Sequence, residues 1–268
     1  MNELRQVVFI AGASSGIGEA LALGYAQRGA DVVLVARREE RLRNLASRIE
    51  KLGAKALVIQ GDVTVDGDME RAVEKALAAF GRIDIAIANA GFGLVGDLES
   101  LTLEDYRRQF ETNLFGLMRV IYAVLPALKK TEGRLALMGS IVSYVSAPGR
   151  GPYAMSKYAV RALAESLYFE LKPSKVSVTL ISPGMVESEL RQVDNEGKHH
   201  PKANAQRTML HVPAHIAARS MIRAVQCRRR EIIVTYHGKV IVFVSVHMPW
   251  LMRLMFRFGV KGRDAVHD

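Results

Sequence analysis

The chain has 268 residues, and its 49% hydrophobic and 24% charged content is ordinary for a globular protein with a buried core. Its one cysteine, Cys227, excludes an internal disulfide framework and a cysteine-based zinc or iron–sulfur site. The net charge is +10, and residues 223–268 hold nine Lys/Arg against three Asp/Glu. The N-terminus runs straight into an apolar strand without the features of a secretory leader, so we expect a cytoplasmic protein.

Short β-branched runs alternate with longer helical patterns along most of the chain. Strands are predicted at residues 7–11, 31–36, 56–60, 83–88, 134–139, 176–182 and 231–235. Helices are predicted at residues 18–28, 39–52, 67–80, 103–128, 153–171 and 213–226. This alternation indicates an α/β protein with a doubly wound, mainly parallel sheet and helices on both faces. Because no linker divides residues 1–236, we predict one domain there and a C-terminal extension at residues 237–268.

A glycine-rich turn follows the first predicted strand. It has the sequence Gly12-Ala13-Ser14-Ser15-Gly16-Ile17-Gly18, with the spacing Gly-x3-Gly-x-Gly. Glycines at such a turn allow backbone N–H groups to approach a pyrophosphate at the N-terminus of the following helix. Glycine also serves simple strand–helix packing, but the position within the first βαβ unit favours a dinucleotide site.

The end of the second predicted strand distinguishes two forms of such a ligand. An NAD site has a carboxylate there for the ribose hydroxyls, whereas this chain has Arg37 and Arg38 and no acid before Glu39. Two guanidinium groups favour a 2′-phosphate through charge-assisted hydrogen bonds, so we predict NADP(H) rather than NAD. The alternative is that both arginines only solvate a helix start, which the helix dipole disfavours.

The third and fourth predicted strands also end in polar motifs. Gly61-Asp62-Val63 places a carboxylate where it can accept a hydrogen bond from an adenine amino group, and Asn89-Ala90-Gly91 places an amide where it can brace adjacent strand ends. Taken singly, Asp62 is better interpreted as a helix cap and the Asn89 motif as a turn.

Tyr153 and Lys157 lie four residues apart in a predicted helix, with Ser140 and Asn113 upstream. That spacing places both side chains on one helix face. An ammonium beside a phenol favours the phenolate, which makes the tyrosine proton easier to move. A tyrosine four residues before a lysine is more often a surface pair, so the interpretation depends on the nucleotide motifs.

Together these motifs resemble the short-chain dehydrogenase/reductase family over residues 5 to about 236. The matching positions are Gly12-x3-Gly16-x-Gly18, Asp62, Asn89-Ala90-Gly91, Asn113, Ser140, Tyr153-x3-Lys157 and Pro183-Gly184. The chain departs from the family at Ala11 and at Ser188, where many members have threonine. The resemblance implies a Rossmann-type fold with seven strands, and homodimers or homotetramers formed through the helices that bear Asn113 and Tyr153.

The resemblance also implies a role for each catalytic position. Tyr153 would act as the general acid in reduction, and Lys157 would hold the nicotinamide ribose and lower the pKa of the tyrosine. Ser140 would orient the substrate carbonyl, and Asn113 would hold a water that links Lys157 to solvent. No metal is required.

Further positions would complete the nicotinamide site. Pro183, Gly184 and Val186 would border the nicotinamide, and the hydroxyl of Ser188 would lie near its carboxamide and the pyrophosphate. Residues 189–211 are polar and basic, and we expect them to form a loop over the ligand crevice.

The residues that follow the strand ends indicate the kind of substrate. The candidate pocket positions are Phe92, Leu94, Val142, Tyr144, Val145, Met185 and Val186. Because nearly all are apolar, they favour a lipophilic carbonyl compound, although the same residues would also serve to pack the loops together.

The C-terminal extension is apolar and basic. Its first apolar run is too short for a membrane span, which takes about 20 residues, and Pro249 interrupts it. Trp250 lies beside Arg253 and Arg257 within apolar sequence, a pattern typical of a helix in a membrane interface. We therefore expect membrane-surface contact through residues 238–268, with a helix over the active-site rim or at a dimer contact as the alternative.

These expectations favour an NADPH-dependent oxidoreductase that reduces a lipophilic ketone or aldehyde, such as a 3-keto lipid or steroid-like ketone. One alternative is a soluble 3-oxoacyl-thioester reductase, and another is a nucleotide-binding sensor without turnover. A nucleic-acid partner is not favoured, because the basic residues are interleaved with apolar ones and no recognition motif occurs.

Overall fold

The computed structural model describes residues 5–187 and 211–261, with side chains as far as residue 257. Seven strands form one sheet with the order β3-β2-β1-β4-β5-β6-β7, and every neighbouring pair is parallel. The strands are β1 Val7–Ala11, β2 Asp31–Ala36, β3 Ala56–Gln60, β4 Ile85–Ala88, β5 Arg134–Met138, β6 Ser177–Ser182 and β7 Glu231–Ile233. The predicted seven-stranded α/β fold is therefore confirmed.

Helices cover both faces of the sheet. They are α1 Gly16–Ala26, α2 Glu39–Glu50, α3 Asp68–Phe80, α4 Leu103–Phe110, α5 Leu117–Thr131, α6 Gly151–Glu170, α7 Ala214–Gln226, α8 Tyr236–His247 and α9 Pro249–Lys261. Alternate residues of β1 belong to two separate cores, with Phe9 packed among α3, α5 and α6 and Ile10 packed among α1, α2 and α7. The two-residue period of a strand explains why both faces must be apolar.

The strand order reverses at β1, which lies between β2 and β4. In open parallel sheets this reversal leaves a crevice at the carboxyl ends of the strands, since the following connections diverge to opposite faces. The glycine-rich turn, the Asn89 motif, Ser140 and Pro183 all follow strands that end at this edge.

The predicted helix at residues 103–128 differs from the observed one. Three consecutive segments replace it: α4, a wider π-helical turn at Glu111–Gly116, and α5, which continues to Thr131. A π-helical turn inserts extra backbone without ending the helix, and such turns are frequent at functional sites. The buried Asn113 lies within this turn.

The extension begins directly against the sheet edge rather than after a linker. Thr235 caps α8 by accepting a hydrogen bond from Gly238 N at 3.2 Å, and a Cβ added at Gly238 would lie 3.0 Å from Ile141. The helices α8 and α9 meet at a bend of 108°. Among the described residues no single helix is long and apolar enough to cross a membrane. The bent pair of α8 and α9 meets both criteria only when the two helices are counted together.

Candidate active site

Two glycines of the glycine-rich turn are packed too tightly to carry a side chain. Gly12 has φ +86°, and a Cβ added to it would lie 2.6 Å from Ala90 N. A Cβ on Gly18 would overlap the carbonyl oxygen of Gly12 and lie 2.7 Å from Asn89 Nδ2. Asn89 itself donates to Gly12 O at 2.8 Å and so joins the ends of β1 and β4. The turn therefore exposes backbone at the start of α1, where unpaired helix N–H groups are available to an anion.

The structure separates the two arginines that follow β2. Arg38 lies over the glycine-rich turn, and its Nη2 donates to Ser14 Oγ at 3.0 Å and to Ser15 Oγ at 2.8 Å. Arg37 is turned outward with 77% of its side chain exposed, and its Nη1 lies 3.8 Å from Asp62 Oδ2. Only Arg38 is thus held beside the N-terminus of α1.

Asp62 and Val63 occupy different environments. Asp62 Oδ1 accepts from both the backbone N and the hydroxyl of Thr64, at 2.9 and 2.8 Å, which fixes the loop after β3. Val63 is buried under the π-helical turn, where a Cβ added at Gly116 would lie 2.7 Å from Val63 Cγ2. The Val63 side chain packs the turn that holds Asn113, so any contact with a nucleotide falls to its backbone.

Lys157 and Tyr153 lie one turn apart on α6, with Lys157 Nζ 5.9 Å from the centroid of the Tyr153 ring. Lys157 is 3% exposed, and its ammonium donates to Met138 O at the end of β5, at 2.7 Å. Burial lowers the pKa of Lys157 to about 8, because desolvation disfavours the charged form. A Cβ added to Gly91 would lie 3.7 Å from the ammonium, so this lysine faces the strand end that carries the Asn89 motif.

Ser140 follows β5 and is 8% exposed. Its backbone is extended, and its Oγ accepts from Val142 N at 3.3 Å, which caps the short turn at Ile141–Ser143. The hydroxyl therefore uses an acceptor lone pair within the protein and keeps its proton for donation.

Asn113 holds the loop that follows β4. Its Oδ1 accepts from Phe92 N at 3.0 Å, and its Nδ2 donates to Phe92 O at 2.9 Å and to Ser156 Oγ at 3.1 Å. Ser156 in turn donates to Tyr153 O at 2.8 Å. Both amide protons of Asn113 are thus used within the protein, and a water link to Lys157 would have to use other atoms of this residue.

Gln109 is a site residue that the sequence reasoning missed. It is fully buried, its Nε2 donates to Phe92 O at 2.8 Å, and its Oε1 accepts from Leu94 N at 2.8 Å. The available signal was its spacing four residues before Asn113, which places both amides on one helix face. Together the two side chains fix the backbone of residues 92–94.

The loop after β6 joins the site to the rest of the chain. Pro183 is buried at its start, and Val186 is 8% exposed and pairs with Val212. Met185 N donates to His237 Nε2 in α8, at 3.0 Å. Ser188 and residues 189–210 of the predicted crevice loop lie outside the described residues.

The candidate pocket residues divide into two groups. Leu94 and Val186 are buried. The others are half-buried around the strand ends: Phe92, Val142, Tyr144, Val145 and Met185. In the described part of the chain, no three His, Cys, Asp or Glu side chains are grouped so that they could hold a metal ion.

The sequence matches a known family. The family model described as short chain dehydrogenase matches residues 6–199. A protein named 11-beta-hydroxysteroid dehydrogenase A from Sesamum indicum is 34% identical over 265 residues, which cover 94% of this chain and 75% of the sesame protein.

Solved structures share the fold. An alcohol dehydrogenase from Thermococcus sibiricus, complexed with 5-hydroxy-NADP, is 28% identical with a TM-score of 0.75, covering 86% of this chain and 96% of that one. A 3-ketoacyl-(acyl-carrier-protein) reductase from Brucella melitensis, complexed with NADH, is 25% identical with a TM-score of 0.75, covering 87% of this chain and 98% of that one. These two structures hold dinucleotides with and without the 2′-phosphate.

The buried lysine makes a prediction about stability. In the cofactor-free protein, the unfolding free energy relative to Lys157→Met is expected to rise by about 2 kcal/mol from about pH 7.5 to about pH 9.5. The folded pKa of about 8 lies below the ordinary lysine value, so the unfolded chain binds more protons in this range and stability increases with pH. Denaturant unfolding measures the difference, with the exposed Lys130→Met as the control. A difference that stays flat or falls would contradict the prediction.

Proposed function

The chain belongs to the short-chain dehydrogenase family of oxidoreductases, and on that premise we propose that it reduces the carbonyl of a lipophilic ketone or aldehyde with NADPH. The observation that carries this proposal is the buried Lys157 ammonium beside the Tyr153 ring. A cation without bulk water around it strongly favours the phenolate form of a neighbouring tyrosine. This pair therefore suits proton transfer to a substrate oxygen.

Each catalytic residue has a defined task in the proposed reaction. A reduced nicotinamide, when bound, supplies the hydride for the carbonyl carbon. Tyr153 donates the proton to the carbonyl oxygen from its hydroxyl, and Lys157 stabilises the phenolate that remains. Ser140 donates a hydrogen bond to the same oxygen, since its Oγ already accepts from Val142 N. Asn113 and Ser156 hold the backbone of Tyr153 in place.

The residues at the start of α1 fit a dinucleotide. Gly12 and Gly18 let the turn pack against Asn89 and Ala90 where a Cβ would clash, and the helix N-terminus adds unpaired N–H groups and a positive dipole end. We assign the pyrophosphate to this turn and the adenine to the loop fixed by Asp62. The ammonium protons of Lys157 that Met138 does not accept are assigned to the nicotinamide ribose hydroxyls.

The preference for NADPH rests on Arg38. Its guanidinium is held by Ser14 and Ser15 beside the turn, so a 2′-phosphate there would gain one fixed cation and two hydroxyl groups. Arg37 lies further out near Asp62 and is proposed as a second cation for the same phosphate. The solved relatives include complexes with both cofactor types, so these residues of the chain itself support the choice.

The substrate is proposed to be lipophilic, such as a 3-keto lipid or steroid-like ketone. The half-buried residues around the strand ends are mostly apolar, and the sesame relative is named a hydroxysteroid dehydrogenase. The similarity to the Brucella 3-ketoacyl-(acyl-carrier-protein) reductase supports a 3-oxoacyl thioester as the second candidate. Parallel assays of free lipid ketones and acyl-carrier thioesters distinguish the two.

We also propose a homodimer or homotetramer formed through α4, α5 and α6. An apolar groove runs between α4, the π-helical turn and α6, and it is lined by Leu103, Tyr106, Arg107, Phe110, Glu111, Phe115 and Met155. Leu103 and Met155 are 73% and 52% exposed. A second copy of the chain packed on this groove would bury these side chains.

For the extension we propose peripheral contact with a membrane from the cytoplasmic side. The exposed apolar side chains of α8 and α9 are Val240, Phe243, Val246, Trp250, Leu254 and Met255. Lys239, Arg253 and Arg257 lie among them, and residues 236–261 contain no acidic residue. An apolar face with tryptophan and cations is suited to an anionic lipid surface.

Tyr153→Phe tests the proposed reaction. Turnover is expected to fall by about a thousandfold, because the general acid is lost, while the Kd for NADPH stays within about twofold. Turnover is measured by NADPH oxidation, and the Kd is measured by NADPH fluorescence titration. Tyr158→Phe, on the same helix, is the matched control. Retained turnover, or loss of NADPH binding, would contradict the role assigned to Tyr153.

Arg38→Ala tests the cofactor preference. The Kd for NADPH is expected to rise by about 10- to 100-fold, because charge-assisted hydrogen bonds to the phosphate are lost, with little change for NADH. Arg37→Ala is expected to show the same selectivity for NADPH, and the exposed Arg43→Ala is the control. Equal losses for both cofactors would refute the 2′-phosphate contact.

Flotation with liposomes tests the membrane contact. The full chain is expected to float with phosphatidylserine-containing vesicles, and the double variant Arg253→Glu/Arg257→Glu is expected to lose about thirtyfold or more in partitioning. The double variant Lys129→Glu/Lys130→Glu, on exposed residues of α5, makes the same charge change elsewhere. Equal flotation of both variants, or none of the wild type, would contradict the assignment.

A further inference from the structure

His237 lies in the first turn of α8 and accepts a hydrogen bond from the backbone of another segment. Met185 N donates to His237 Nε2 at 3.0 Å. Because a backbone N–H can only donate, Nε2 carries no proton, and the neutral ring has its proton on Nδ1. Thr235 Oγ1 lies 3.1 Å from the same nitrogen and already accepts from Gly238 N, so its hydroxyl proton is free to point at the ring.

The loop that receives this contact has little freedom elsewhere. Met185 O accepts from Val212 N at 3.0 Å, and Glu187 N donates to Val212 O at 3.0 Å. A Cβ added to Gly184 would overlap Thr235 Oγ1 and lie 2.8 Å from His237 Nε2. The first turn of α8 therefore rests directly on the backbone at Gly184 and Met185, and only glycine fits between them.

We infer that His237 is a positioning residue for the cofactor site, which ties α8 to the loop after β6 and holds Gly184 and Met185 where the nicotinamide binds. This inference rests on the proposed function, which assigns that loop to the nicotinamide. Without the ring nitrogen, Met185 N loses its acceptor, and the first turn of α8 loses its hydrogen bond to the loop. The C-terminal extension is in this way a structural part of the site.

The contact requires a neutral ring. Burial lowers the pKa of His237, and the charge of His211 lowers it further. Among the described residues, the ionisable side chains on the neighbouring segments include Glu187 on the β6 loop, Glu231 on β7, and Tyr236 and Lys239 on α8. When His237 is protonated at acid pH, Nε2 gains a proton that faces the N–H of Met185, so the link is lost as pH falls below the ordinary histidine range of about 6.5.

Two substitutions distinguish the effect of losing the hydrogen-bond acceptor from the effect of losing the titrating imidazole ring. His237→Leu removes the acceptor, whereas the side-chain carbonyl of His237→Gln reaches a similar point and does not titrate. His215→Gln, on the exposed side of α7, is the matched control. The measurements are the Kd and KM for NADPH and the kcat, each from about pH 5 to about pH 8.

At neutral pH, His237→Leu is expected to raise the Kd and KM for NADPH by about tenfold with kcat within about threefold, because one partly buried donor loses its partner. His237→Gln is expected to keep wild-type affinity at neutral pH and to lack the additional weakening that the wild type shows in acid. The cofactor phosphate also titrates at about pH 6, inside the measured range, but its effect cancels in the ratio of wild type to variant.

Each outcome decides the matter. Unchanged Kd and KM in His237→Leu, or wild-type and His237→Gln profiles that coincide at every pH, would overturn the inference. If His237→Leu does not fold, the comparison of wild type with His237→Gln decides alone. A wild-type protein that binds no NADPH at any pH would instead refute the proposed function. That outcome is measured on the wild type alone and does not depend on the His237 variants.

Discussion

The proposed active site depends on one buried cation, the ammonium of Lys157. Lys157 is withdrawn from water and donates to Met138 O at the end of β5. Desolvating an ammonium is costly, so its position depends on that carbonyl and on the tight packing of α6 against the sheet. The same burial strengthens every electrostatic interaction of this cation with its neighbours, and it brings the pKa of the lysine to about 8. The burial of Lys157 thus lowers stability, and it also strengthens the interaction with Tyr153 on which the proposed chemistry depends.

A second constraint is the network of buried amides around the π-helical turn. Asn113 and Gln109 together make four hydrogen bonds to the backbone of Phe92 and Leu94, and Asn113 reaches Tyr153 through Ser156. An unsatisfied buried polar group costs about 1–3 kcal/mol, so the loop and the helix fix each other. The wider turn supplies the backbone geometry that this arrangement needs. The amides of Asn113 and Gln109 are therefore satisfied within the protein before any ligand binds.

The two alternatives that the sequence left open for the extension do not exclude each other. The first turn of α8 lies on the rim of the site through Thr235 and His237. Farther along, α8 and α9 keep apolar side chains and arginines exposed on the outside. One element can therefore hold the nicotinamide loop at one end and present a surface to lipid at the other. If both proposals hold, a lipophilic substrate would reach the crevice close to the membrane surface.

The sequence alone determined the sheet, the helices on both faces and the family, because strand and helix periodicity and short spacings such as Tyr153-x3-Lys157 are local properties of the chain. It also placed the glycine-rich turn between the first strand and the first helix. Only the tertiary structure decided that Arg38 rather than Arg37 lies over that turn, and that Val63 and Leu94 point inward. It also revealed Gln109 and His237, whose partners are 15 to 52 residues away. Contacts at such separations follow from how packed elements meet in space, which no local pattern encodes.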